Sequence, residues 1–236
     1  MSRYEMTPET AFTTPYAADE RVTAFLRSVY GWMAVGLTVT AAVAWFVAGS
    51  PEIVLAIARN RVLFWGLLLA QIGIVVWLSA RVQTMSAGTA SMLFLLYSGL
   101  TGFTLSFVLL AFTGESVATT FFVTAGTFGA LATYGTVTKR SLAGWGQFLF
   151  MGLIGVVLAS FVGMFFQNDA FQFVLSFIGV IVFTGLTAYD AQRLKGMALA
   201  TGGQAGAYSI VGALTLYLDF IKLFMFLLRF TGNRRN

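Results

Sequence analysis

Seven long apolar runs, separated by short polar segments, dominate the hydropathy pattern of this chain. They lie at residues 28–48, 62–80, 88–111, 117–137, 145–166, 171–190 and 207–228. Each run is close to the length of about 20 apolar residues that an α-helix needs to cross the hydrocarbon core of a bilayer. The pattern therefore predicts an all-α membrane protein with seven transmembrane helices.

The segments between these runs are short, which predicts one transmembrane domain over residues 28–230. Residues 1–27 are polar and are expected to form a cytoplasmic tail. They show no basic segment followed by an apolar stretch, so no cleavable signal peptide is expected there. Residues 231–236 form a short basic tail. Pro51 is expected in a loop, so that no helix carries a proline kink.

Composition supports a membrane protein and narrows the chemistry that is available to it. Hydrophobic residues make up 58% of the chain and charged residues 10%, against about 25% charged residues in soluble domains. The chain has no Cys and no His, which removes thiol nucleophiles, Ser-His-Asp catalysis, Cys or His metal sites and the imidazole pH switch. We therefore expect no enzymatic activity and no cofactor.

The formal net charge of +5 reflects membrane topology and does not indicate nucleic-acid binding, because the basic residues lie in short segments between apolar runs. With seven spans, one side has the eight residues Arg3, Arg21, Arg27, Arg81, Lys139, Arg140, Arg193 and Lys195, and the other has the five residues Arg59, Arg61, Arg229, Arg234 and Arg235. The excess predicts a cytoplasmic amino terminus and an external carboxyl terminus. The basic carboxyl end opposes this bias and leaves a six-span topology open.

Two of the nine acidic residues lie within apolar runs. Asp190 closes the sixth run, IVFTGLTAYD, and Asp219 lies inside the seventh, GALTLYLDFIKLFMFLL. An ionised carboxylate at mid-membrane costs about 2.5–3.5 kcal/mol on insertion scales, so such residues usually face a cavity or a partner. We expect both aspartates to face the interior, either as a functional pair or as structural hydrogen-bonding groups.

Three further polar residues are candidates for the same region. Lys222 follows Asp219 by three residues and therefore shares its helical face. Arg81 ends the second run, on the side of the membrane where Asp190 is expected. It is either a partner of the acids or an ordinary arginine that extends to the interface from a helix end. Gln71 adds a polar group to the second helix.

Two segments close to the carboxyl end carry a family resemblance. AYDAQRLK at 188–195 and LYLDFIKLFMFLLRF at 216–230 strongly resemble the closing motifs of the transmembrane Bax inhibitor motif family, also called the Bax inhibitor-1 family. FGALATYGTVTKRSL at 128–142 is typical of bacterial members. The resemblance covers nearly the whole chain. It implies seven helices, with the last one central and surrounded by the other six, in a bacterial cytoplasmic (inner) membrane.

The resemblance also implies a function. Family members are reported as pH-sensitive calcium leak pathways in which an aspartate pair on the last two helices is the sensor, here Asp190 and Asp219. These carboxylates would contact calcium transiently as it permeates. The arginine that latches the closed pore would be Arg81. This chain has Lys222 where the family usually has Asn, and Gln71 where a Glu is frequent, so its pore is expected to be less acidic.

A paired-carboxylate switch is also expected on physical grounds. Two carboxylates about 4 Å apart repel by about 4 kcal/mol at an effective dielectric constant of about 20, so a buried pair shares a proton and titrates as a unit. We therefore expect a passive, pH-gated pathway for calcium or other cations. The alternative is a non-channel regulator that binds other membrane proteins, such as a membrane protease complex. An intramembrane aspartyl protease is disfavoured, because no GxGD sequence precedes Asp219.

Overall fold

A computed structural model describes residues 15–163, 165, 168–201 and 205–235 of the chain. These residues form the helices α1 Pro15–Ala48, α2 Pro51–Arg59, α3 Arg61–Ala80, α4 Ala87–Ala111, α5 Gly114–Val137, α6 Ala143–Gly163, α7 Asp169–Ala200 and α8 Ala205–Thr231. Six of them are long and apolar enough to cross a membrane, and α3 adds a shorter apolar helix. The predicted all-α membrane fold is confirmed.

Two helix boundaries differ from the expected ones. Helix α1 starts at Pro15, so part of the polar segment 1–27 continues the first span as helix, and residues 1–14 lie outside the described residues. Placing Pro51 in a loop was wrong, because it begins the nine-residue helix α2. Proline suits a first helical position, where its missing N–H costs nothing. Glu52 in the first turn and Arg59 in the last complement the helix dipole.

Helix α8 lies at the centre of the bundle, as expected. In its most apolar stretch 61% of the residues are buried, against 22–39% in the other five long spans. It packs chiefly against α1, α4, α5 and α7, whereas α3 packs chiefly against α4, and α6 against α7. The large side chains of Leu214, Leu216, Tyr217, Leu223 and Leu228 are almost completely buried, which explains why this helix occupies the core.

The two termini of the described chain lie at opposite ends of the bundle. Ser28, early in α1, donates a hydrogen bond to Ser209, early in α8, over 3.0 Å, so these helices start at the same end. At the other end the backbone N–H of Arg235 donates to the carbonyl of Ala111 over 3.0 Å. An even number of crossings would bring the termini together, so this arrangement favours the seven-span topology over the six-span alternative. The cytoplasmic location of the amino terminus remains a prediction.

Candidate functional site

A cavity of about 520 Å³ lies between α6, α7 and α8. Asp190 and Arg193 of α7 line it, together with Asp219 and Lys222 of the central helix and Ser160 of α6. Apolar side chains such as those of α6 form most of the remaining wall. The cavity therefore brings both intramembrane acids and two cationic residues to one surface inside the bundle.

The structure brings Asp190 and Asp219 together. Both side chains line the same cavity, and their carboxyl groups are close enough to interact with each other, an arrangement that is favourable when the two groups share a proton. Asp219 is only 5% exposed, and Asp190 is half-buried. Asp219 Oδ2 is buried without a hydrogen-bond donor among the described residues. A buried carboxyl oxygen without a donor favours the protonated form of the group.

Close helix packing on both sides of α7 positions Asp190. A Cβ added to Gly135 of α5 would lie 3.1 Å from the Cα of Ala188, and one added to Gly146 of α6 would lie 2.6 Å from the ring of Tyr189. Glycine therefore permits both contacts. Because α7 is held between α5 and α6 at the two residues before Asp190, the direction of that carboxyl group is set by backbone packing.

The segment that follows Asp190 is joined to the turn between α5 and α6. Gln192 donates to the carbonyl of Arg140 over 2.8 Å and accepts from the N–H of Leu142 over 2.7 Å. Lys195 donates to the carbonyl of Thr136 over 3.0 Å. These bonds satisfy backbone groups at a helix end and a turn, and they fix the part of α7 that carries the acid.

A hydroxyl on the opposite side of α8 positions Asp219. Tyr217 is fully buried, and its hydroxyl donates to Thr40 of α1 over 2.5 Å, while Thr40 donates to the carbonyl of Ser98 of α4 over 2.9 Å. The ring of Phe94 makes an edge contact with Tyr217 at 5.6 Å between centroids. This network fixes the rotation of α8. Sequence reasoning missed it, although the tyrosine stands two residues before Asp219 in the closing motif.

The basic residues predicted from the sequence differ in whether they line the cavity that holds the acids. Lys222 lines the cavity and is accessible through it. Arg81 does not: it is exposed at the end of α3, and α3 packs chiefly on α4, away from α7 and α8. The structure thus gives no support to Arg81 as the latch in this conformation. Arg193, three residues after Asp190, supplies the cation near the pair, and its spacing in AYDAQRLK could have revealed it.

Gln71 also lies away from the acid pair. It donates to the hydroxyl of Thr104 over 2.7 Å and to the carbonyl of Leu100 over 3.4 Å, both on α4. It does not line the cavity that holds the acids, and its influence on the pore remains a prediction. Its amide joins the outer helix α3 to α4, which is the usual role of a polar side chain between membrane helices.

The two acids of the cavity are few for a metal site. The residues that the structure describes contain no group of three or more His, Cys, Asp or Glu side chains that would hold a metal ion. Calcium prefers six to eight oxygen ligands, and Asp190 and Asp219 supply at most four. Any calcium contact at this pair would therefore be weak and completed by water.

These features define an all-α membrane protein with six long apolar helices, one shorter apolar helix and a cavity beside the central helix that two aspartates line. The family model for the inhibitor of apoptosis-promoting Bax1 matches residues 22–236. The inner membrane protein YbhL of Escherichia coli K12 is 52% identical over 215 residues, which cover 89% of this chain and 92% of that protein. The chain belongs to the Bax inhibitor-1 family, as the two closing motifs indicated.

Less similar relatives also match this chain over nearly its whole length. The uncharacterized protein RP147 of Rickettsia prowazekii is 40% identical over 220 residues, which cover 92% of this chain and 93% of that protein. An uncharacterized membrane protein of Streptococcus pyogenes serotype M1 is 33% identical over 218 residues, covering 91% of this chain and 95% of that protein. The similarity therefore extends over nearly the whole transmembrane bundle in each case.

Proposed function

We propose that the protein is a passive, pH-sensitive pathway for cations, including calcium, across the bacterial inner membrane. The observation that carries this proposal is that Asp190 and Asp219 line one cavity beside the central helix. The chain belongs to the Bax inhibitor-1 family, and its resemblance to that family implies the same function. The proposal includes no catalytic step and no resident cofactor.

Proton binding supplies the switch. With one proton between them, Asp190 and Asp219 attract each other and hold α7 against α8. Loss of that proton leaves two negative charges, whose repulsion is about 4 kcal/mol at 4 Å and an effective dielectric constant of about 20. The doubly charged pair favours separation of the helices and entry of a cation. Cation occupancy of the cavity therefore rises as pH rises through the titration of the pair.

Arg193 and Lys222 limit what the pathway selects. Both line the cavity with the acids, so the negative charge that a divalent ion would experience is partly compensated. We therefore expect weak discrimination between calcium and monovalent cations, with the flux sensitive to the charge at position 222.

Ion flux from purified protein in liposomes tests this function. Calcium entry is recorded with an enclosed indicator between about pH 6 and 8, the range in which a coupled buried pair titrates. Wild-type protein is expected to conduct with a clear pH dependence, and Asp190→Asn and Asp219→Asn with a flat profile. Asp169→Asn is the matched control, because Asp169 is an exposed acid in the first turn of the same helix.

Two results would contradict the proposal. If correctly folded wild-type protein gives no more flux than empty liposomes, the protein is not a channel and the regulator of other membrane proteins becomes the better description. If flux is present but both Asn variants keep the wild-type pH profile, the pair is not the sensor.

A further inference from the structure

A second, larger cavity lies on the other side of the central helix. It is a groove of about 920 Å³ between α1, α4, α5 and α8. Its walls are apolar, with Leu37, Leu109, Phe121 and Phe224 among the lining residues. It lies toward the end of the bundle that holds the carboxyl terminus, and nothing in the proposed ion pathway uses it.

The groove has the dimensions of one bilayer leaflet. Along it, α1 rises about 17 Å between Leu37 and Ala48, at about 1.5 Å per residue. The hydrocarbon of one leaflet is about 15 Å deep, half of a core of about 30 Å. A groove with apolar walls is a poor path for ions, because it offers them no ligands. Its length, volume and lining fit hydrocarbon chains.

The end of the groove nearest the carboxyl terminus is polar. Ser50 and Arg235 line it there, and Arg235 is the one charged residue among the lining residues of the described chain. The backbone around Arg235 is held in place, because its N–H donates to the carbonyl of Ala111 and the N–H of Thr113 donates to the carbonyl of Asn233, each over 3.0 Å. A positioned arginine at the end of an apolar groove is complementary to an anionic amphiphile.

From this complementarity we infer that the groove binds an anionic phospholipid of the surrounding membrane. Its acyl chains lie between α1, α4, α5 and α8, and its phosphate contacts Arg235. Guanidinium groups bind phosphate oxygens through two parallel charge-assisted hydrogen bonds, and neighbouring Arg234 adds positive charge at the same end. The lipid would join the carboxyl-terminal tail to the central helix.

Lipid binding to purified, delipidated protein tests the inference by native mass spectrometry. Phosphatidylglycerol and phosphatidylcholine with identical acyl chains are titrated separately, and inorganic phosphate is titrated alone. We expect one phosphatidylglycerol to bind more tightly than phosphatidylcholine. Arg235→Gln should weaken phosphatidylglycerol binding about fivefold, the effect of one arginine near an anionic headgroup. The control Arg59→Gln removes an exposed arginine from the same end that does not line the groove.

A second pair of variants tests the acyl-chain part of the site. Ala41 and Ala42 are both exposed on the bundle surface, but only Ala41 lines the groove. Ala41→Trp should fill the groove and lower the binding of both lipids, while Ala42→Trp should bind them as the wild type does. Both variants carry the same added indole on the same helix, so a general effect on folding would appear in both.

Several outcomes would overturn the inference. Equal binding of the two lipids, or equal effects of Arg235→Gln and Arg59→Gln, would remove the headgroup contact. Binding of inorganic phosphate as tight as that of the phospholipid would indicate a simple anion site. A dimer mass that Ala41→Trp abolishes would make the groove an interface between two copies of the chain. Because these assays record no ion flux, their failure is distinguishable from failure of the proposed channel function.

Discussion

The two sides of helix α8 form two different kinds of cavity. Toward α6 and α7 the helix presents Asp219 and Lys222, which share a cavity with Asp190 and Arg193. Toward α1, α4 and α5 it presents Phe220, Ile221 and Phe224 to an apolar groove. One helix therefore separates a surface suited to protons and cations from a surface suited to hydrocarbon. The comparison shows how a central membrane helix can hold charged groups while remaining mostly apolar.

The largest expected effect comes from removing the carboxyl group of Asp219 from the cavity between α6, α7 and α8. Asp219→Asn keeps the size of the side chain but cannot form a carboxyl pair with Asp190. We expect the pH dependence of calcium flux between about pH 6 and 8 to disappear, whereas it should persist in Asp169→Asn. A wild-type profile in Asp219→Asn would show that the two sides of α8 do not differ in pH sensing.

The next largest effect concerns the packing that supports the pair. Gly135→Ala places a methyl group against the backbone of Ala188, so α5 and α7 must separate, at a cost of about 1–3 kcal/mol. We expect a lower unfolding temperature and an altered pH profile of flux. Gly126→Ala is the matched control on α5, because a Cβ there meets nothing within 4 Å. Equal unfolding temperatures for the two variants would contradict this prediction.

A smaller effect is expected from Lys222→Asn, which removes one positive charge from the polar cavity. Two unit charges 4 Å apart interact by about 1 kcal/mol even at the dielectric constant of water, so cation flux should rise about fivefold. The midpoint of the pH profile should move to higher pH, because the ammonium group no longer stabilises the ionised pair. Arg229→Gln is the control, because it also removes one positive charge from α8, at an exposed position that does not line the cavity. If flux and midpoint are unchanged, Lys222 does not influence the pathway.

The smallest effect is expected from Tyr217→Phe, which removes the hydrogen bond to Thr40 on the side of α8 away from the acids. Hydrogen bonds between membrane helices contribute about 0.6 kcal/mol on average, so unfolding in detergent should become easier by about that amount. The pH profile of flux should remain, with a small change in amplitude. Loss of the profile would mean that the rotation of α8 depends on this hydroxyl alone.

Local sequence features were sufficient for most of the architecture. The length of each apolar run determines whether it crosses a bilayer, and this is a property of consecutive residues. The short helix α2 was missed because nine residues with a leading proline give a weak local pattern, and the early start of α1 because a polar stretch can continue a helix outside the membrane.

The sequence by itself placed Asp219 inside the seventh apolar run and Asp190 at the end of the sixth, and the closing motifs identified the family. Only the tertiary structure decided their neighbours. Arg81 and Gln71 lie on or at the end of α3, which packs on α4, whereas Arg193 lines the cavity with the acids. The physical reason is that the environment of a side chain depends on which helices pack together and on their rotation. Those are set by contacts between distant residues, such as Gly135 with Ala188 and Tyr217 with Thr40.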